Sequence, residues 1–127
     1  MRQHQRASLL RRTAAVCAFG LALTAMPSVA SAVTVLTAVV NANGTFSRGT
    51  PAGTTSSRIA LGTYSVIFSR NVNTCVYSAT VGSVNKVEPQ GGNTKVYSGA
   101  SAKGVVVKIG QQGTPEDRPF HLIVVCP

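Results

Sequence analysis

Residues 63–81 read Thr63-Tyr64-Ser65-Val66-Ile67-Phe68-Ser69-Arg70-Asn71-Val72-Asn73-Thr74-Cys75-Val76-Tyr77-Ser78-Ala79-Thr80-Val81. Two stretches of period-two alternation flank a polar break. In the first, Tyr64, Val66 and Phe68 face one way, while Thr63, Ser65 and Ser69 face the other with Ile67. In the second, Cys75, Tyr77, Ala79 and Val81 share a face opposite Val76, Ser78 and Thr80. Alternation of this kind puts one side of each strand on a core. Asn71-Val72-Asn73 turns the chain between them.

The same reading extends toward the C-terminus. Residues 82–93 contain Gly82, Pro89, Gly91 and Gly92 and read as a loop; 94–98 is a short strand and 99–103 a turn. Over 104–109, Val105, Val107 and Ile109 point inward, and Val106 and Lys108 outward. Residues 110–119 form a polar loop holding Glu116, Asp117 and Arg118. The last strand, 120–126, places Phe120, Leu122, Val124 and Cys126 on one face. Toward the N-terminus, 58–61 starts a strand that Gly62 bends, 49–57 is a loop or weak edge, and 33–42 is a β-branched run ending at Asn43-Gly44. Asn-Gly takes the positive φ angles of a type I′ turn, so 45–48 should fold back on the first strand. Asn43-Gly44-Thr45 is also a glycosylation sequon, but the turn accounts for these residues by itself.

The expected fold is therefore all-β, with about seven to eight strands. Without a helix to cover either face, two sheets must pack on each other as a small antiparallel β-sandwich, jelly-roll or immunoglobulin-like. The expected inner set is Tyr64, Val66, Phe68, Tyr77, Ala79, Val105, Val107, Phe120, Leu122 and Val124. The opposite face of the last strand carries His121, Ile123 and Val125. Two apolar residues there imply a cover: another strand or loop of the chain, or a second subunit in a homo-oligomer.

Residues 1–32 are of a different kind. Arg2, Arg6, Arg11 and Arg12 precede the apolar run AAVCAFGLALTAM at 14–26, Pro27 follows, and Ala30-Ser31-Ala32 supplies small residues for a cut. This is the pattern of a signal peptide cleaved after Ala32. The run is too short for a membrane span, which needs about 20 residues. Thr13-Ala14-Ala15 after Arg11-Arg12 lacks the bulky apolar residues of a twin-arginine signal, which points to the general export route. Cys17 stands at the start of the apolar run after Val16, the wrong setting for lipidation. Of the 127 residues, 95 then remain as one domain over 33–127.

Removing the leader also changes the charge. The whole chain has 12 Lys and Arg against 3 acids and a net charge of +9, which invites a nucleic-acid reading. Four of those cations leave with residues 1–32, and the eight that remain leave a net +5. They are scattered singly and not interleaved with the three Tyr, so no specific nucleic-acid site is expected. Solvated faces account for them, with diffuse attraction to an anionic cell-wall polymer or lipid as the alternative. A hydrophobic content of 44% with 12% charged residues also excludes a disordered tail or a coiled coil.

Cys75 and Cys126 are the cysteines left after the leader. An even count in an exported chain makes one disulfide the expectation, with two free thiols as the alternative. Each lies on the aromatic-bearing face of its strand, as a core bridge requires. Two cysteines and one distant His121 do not make a four-ligand metal set. Catalytic signals are sparse. His121 stands mid-strand without a Gly-x-Ser-x-Gly elbow. Glu116 and Asp117 are adjacent in a loop before Arg118, which reads as a turn with local ion pairs rather than flanking carboxylates. The glycines at 91–92 and 110–113 open no phosphate-binding helix.

Four segments carry a resemblance: Ala38-Val39-Val40-Asn41-Ala42-Asn43-Gly44 with Arg48-Gly49; Gly62-Thr63-Tyr64-Ser65-Val66-Ile67-Phe68; Asn73-Thr74-Cys75-Val76-Tyr77-Ser78-Ala79-Thr80-Val81-Gly82; and Asp117-Arg118-Pro119-Phe120-His121-Leu122-Ile123-Val124-Val125-Cys126. In this order the chain resembles a group of small secreted actinomycete β-sandwich proteins and C-terminal modules. The resemblance implies a small sandwich with its two cysteines paired and no agreed enzymatic activity. The Gly-Tyr-x-Val-x-Phe strand is also distantly similar to the central strand of C1q-type and phage tail-tip jelly rolls, which trimerise. Asn71 stands where the group's pattern carries Asp, so no role for that acid carries over.

The functional expectation is a secreted, non-catalytic module that binds an extracellular or cell-surface partner or self-associates, without cofactor or metal. The alternative is a secreted inhibitor or cationic effector using loop 84–93 or 110–119 against an enzyme or an anionic cell envelope.

Overall fold

The computed structural model describes residues 20, 28 and 30–127. The expected signal peptide lies almost wholly outside the described residues; Ala30 and Ala32 are described, exposed and outside any strand.

Wherever the sequence alternates, a strand forms. The strands are β1 (Thr34–Val40), β2 (Phe46–Thr50), β3 (Thr55–Ala60), β4 (Thr63–Ile67), β5 (Val76–Val81), β6 (Asn93–Ser98), β7 (Gly104–Gln111), β8 (Thr114–Pro115) and β9 (Phe120–Cys126). All pairings are antiparallel. One sheet has the order β2-β1-β9-β5; the other has β3-β4-β7-β6, with β8 pairing β7. The count of nine among the described residues exceeds the seven to eight expected because β8 is a two-residue strand. An immunoglobulin arrangement would put the first and last strands in different sheets. Here β1 and β9 pair with each other along their whole length, from Thr34↔Cys126 to Val40↔Phe120.

Each sheet turns one apolar face to the other. Leu36, Ala38, Val40, Phe120, Leu122, Val124 and Cys126 come from the first sheet, and Tyr64, Val66, Val105, Val107 and Ile109 from the second. Phe68 and Val72, in the β4–β5 connection, complete the core. Tyr77 and Ala79, expected inside, are half-buried because β5 is an edge strand. The rings of Tyr64 and Phe120 meet across the sheets at 5.0 Å and 55°, a tilted pairing suited to aromatic quadrupoles. Thr94 Oγ1 on β6 donates to the Ala79 carbonyl on β5 at 2.6 Å, which joins the two sheets along one edge.

The turns correct one expectation. Asn43-Gly44 does not form a type I′ turn, because only Gly44 has positive φ, at 90°. The Asn43 carboxamide instead accepts from Thr45 N at 3.0 Å, and the loop closes through Asn41 N to Thr45 O at 2.9 Å. The type I′ geometry occurs at Gln112-Gly113, where both residues have positive φ (50° and 84°) between the paired Gln111 and Thr114. Strand β3 begins at Thr55, earlier than the expected 58, because its partner β4 pairs it as far as Thr55↔Ile67. Val106 lies on the outward side but is buried, set between Ser65 and Tyr97 in the register.

Cys75 and Cys126 form a disulfide. The register that pairs Val76 with Val125 puts Cys75 directly across from Cys126. The bridge thus clasps β5 to β9 within one sheet. It closes a loop between residues 51 positions apart, a constraint on the unfolded chain of about 4 kcal/mol in the chain-entropy account. The double variant Cys75→Ser/Cys126→Ser should lose about that much unfolding free energy in denaturant titration. Intact protein should also weigh two hydrogens less than its reduced form; free thiol by Ellman assay would contradict the pairing.

Candidate functional site

Three surfaces gather the chemistry-bearing residues. The first is the outer face of the β2-β1-β9-β5 sheet, where the sequence placed His121, Ile123 and Val125. The structure divides these three. His121 is half-buried, and its Nε2–H donates to the Ser83 carbonyl at 2.8 Å. Gly82 abuts the ring so closely that an added Cβ would come within 2.8 Å of it. The loop after β5 therefore covers the His121 end of the sheet. Arg48 fastens the same loop by donating to the Val84 carbonyl at 2.8 Å.

Ile123 and Val125 lie beyond that loop, and both are exposed, at 48% and 38%. The register puts Val35 on one side of Val125 and Val76 on the other, exposed at 52% and 72%. Val35, Val125 and Val76 thus form one open apolar row across three strands. Thr37 and Ser78 flank Ile123 in the next row. Sequence reading missed Val35 and Val76 as members of this surface, because cross-strand neighbours follow from register, which one strand's alternation does not specify.

The second surface is a polar knot at the end of the sandwich where the loop before β9 arrives. Asp117 Oδ1 accepts from Gly62 N at 2.8 Å, and Oδ2 pairs with the Arg58 guanidinium. The Tyr64 hydroxyl lies 2.7 Å from the Ala42 carbonyl and 3.3 Å from Asp117 Oδ1. Its single proton goes to the nearer acceptor, Ala42, and the oxygen accepts from Arg118 N at 3.1 Å. Burial, and then the Asp117 charge, push the Tyr64 pKa up to about 12. The Gly62 N–H chiefly, and the Arg58 guanidinium after it, hold the Asp117 carboxyl below its ordinary value. Glu116 pairs with Arg118 within the loop, as expected of a local ion pair, whereas Asp117 reaches Arg58 across 59 positions. Among the described residues no buried side-chain polar atom of the knot lacks a hydrogen-bond partner, and its arrangement ties three loops together.

The third surface is a shallow depression on the outer face of the other sheet, about 320 Å³ in volume, beside Lys95, Lys108 and the β7–β8 turn. Among the described residues, no group of three or more His, Cys, Asp or Glu side chains comes together as a metal set. Among the same residues, no helix is long and apolar enough to cross a membrane.

The knot generates a pH dependence with two limits. A lowered Asp117 pKa adds stability above the ordinary carboxylate range, and that stability is lost as pH falls through the folded value. A raised Tyr64 pKa adds stability that is complete below 10 and is lost as pH rises toward about 12. Asp117→Asn should flatten the acid limb of the Tm–pH profile. Tyr64→Phe should flatten the alkaline limb and cost about 1–3 kcal/mol, since the Ala42 carbonyl and Arg118 N–H lose their partner. Profiles identical to wild type would contradict the knot. No protein-family model matches the chain, and no curated protein or solved structure matches it.

Proposed function

We propose that the chain is an exported, non-catalytic β-sandwich module that acts outside the cell or at its surface by binding and self-association. The observation that carries this reading is the open row Val35–Val125–Val76 with Ile123 beside it. A soluble domain rarely leaves adjacent β-branched side chains bare on a sheet face unless something packs there. The row carries no charge. A domain with a net +5 after removal of its leader repels its own copies across most of its surface. At an uncharged apolar row, burial of β-branched carbons offsets that repulsion without adding a like-charge contact. A two-fold axis near β9 would set each row against its equivalent.

Export is supported by the basic and apolar pattern over 1–32 and by the Cys75–Cys126 disulfide, a bond that persists in oxidising compartments. The resemblance to small secreted actinomycete sandwich proteins points the same way. A second reading, a secreted inhibitor or cationic effector acting on an enzyme or an anionic envelope, is favoured by the lysines of the second sheet.

Light scattering and native mass spectrometry on the disulfide-bonded protein should show concentration-dependent association. Val125→Glu should return it to monomer with an unchanged circular dichroism spectrum. A strict monomer at high micromolar concentration, or a Val125→Glu variant that associates like wild type, would remove the self-association reading.

A further inference from the structure

We infer that the depression on the outer face of the β3-β4-β7-β6 sheet is an oxyanion site for a phosphoryl group, held by Lys95 and Lys108. The inference deepens the cationic-effector reading by naming its site and ligand chemistry. It does not depend on self-association, which uses the opposite sheet.

Lys95 on β6 and Lys108 on β7 are direct cross-strand partners. Both point outward, both are exposed, and both line the depression. Directly opposed side chains in an antiparallel pair have Cβ atoms about 5 Å apart, and like charges there are destabilising. An acid opposite a lysine would make the pair stabilising. Here no acid compensates. Among the described residues the ion pairs are Arg58 with Asp117 and Arg118 with Glu116. Glu88 lies exposed in the 82–93 loop. The Lys108 ammonium rests 5.8 Å from the Tyr97 ring centroid, which gives it a contact on the sheet surface. A bound oxyanion would convert this repulsive pair into a bridged one.

The surroundings suit that ligand. Thr114 brings a hydroxyl to the lining and Asn93 an amide, both able to donate to oxygen, while the Thr63 hydroxyl beside them donates to the Leu61 carbonyl at 3.4 Å. The Gln112-Gly113 turn returns the chain as β8 and forms one wall. Two ammonium groups bring point charges with three N–H donors each, which is how lysine binds phosphate oxygens. A depression of about 320 Å³ has room for a phosphate with a small polyol attached. The phosphoryl group could belong to free phosphate or to a repeating phosphodiester polymer, and the test separates these sources.

The disulfide-bonded protein is titrated with a poly(glycerol phosphate) chain and, separately, with inorganic phosphate, following binding and Tm. The variants are Lys95→Ala, Lys108→Ala, their double, and Lys103→Ala, which removes the same charge from the β6–β7 turn. Polymer binding should weaken about tenfold or more in the double variant and stay near wild type in Lys103→Ala. A Tm rise with inorganic phosphate in wild type, absent from the double variant, supports the site and identifies free phosphate as sufficient. A rise with polymer alone supports the site and assigns the polymer. Without ligand, the double variant should be at least as stable as wild type, because a like-charge pair has been removed. Equal weakening by Lys103→Ala would overturn the site while leaving diffuse cationic attraction in place. Absence of binding to both probes would overturn the site and the cationic reading together.

Discussion

Among the described residues no helix flanks the two sheets, so they have only each other to cover their apolar faces. That constraint governs this molecule. Each core strand must keep its inner positions apolar, and each connection must deliver the next strand with its apolar side inward. β9 bears the heaviest share, because Phe120, Leu122, Val124 and Cys126 all enter the core from its one inner face. Flanked by β1 and β5, it is held on both edges by full ladders. The Cys75–Cys126 bond adds a covalent clasp where the β5 ladder ends, so the last strand cannot peel away from that neighbour.

The polar knot answers the problem that packing leaves at the sandwich end. Tyr64 is a core side chain whose hydroxyl must still be satisfied. It reaches the Ala42 carbonyl in the β1–β2 loop and the Arg118 N–H in the loop before β9. Asp117 then links that second loop to the β3–β4 hairpin through Gly62 and Arg58. One buried phenol and one carboxylate thus fasten loops from both sheets. The shifts in their pKa values follow from this structural duty.

The two outer faces differ in character. The outer face of the β2-β1-β9-β5 sheet offers β-branched carbons in a row, half of it closed by the loop over His121. The outer face of the other sheet offers two opposed ammonium groups beside a depression. On the proposed readings, the apolar face meets another protein surface and the cationic face a small charged group.

Alternation in 63–81 and 104–126 was enough to establish the fold class and most of the core. Side-chain period two is a local property, so strands such as β4, β7 and β9 were readable from their own residues. The cysteine pairing was readable for a related reason: parity placed both sulfurs inward. The Asn43-Gly44 turn was misread because the Asn43 carboxamide found a local partner in Thr45, which propensity alone does not weigh. Register, by contrast, belongs to no single strand. That Val35 and Val76 flank Val125, that Lys95 faces Lys108, and that Asp117 reaches Gly62 across 55 positions are all outcomes of pairing between distant segments. The sequence by itself determined which side of each strand is apolar, because that is set within a few residues. Only the tertiary structure decided which exposed groups become neighbours, because neighbours in a sheet come from ladders between segments far apart in the chain.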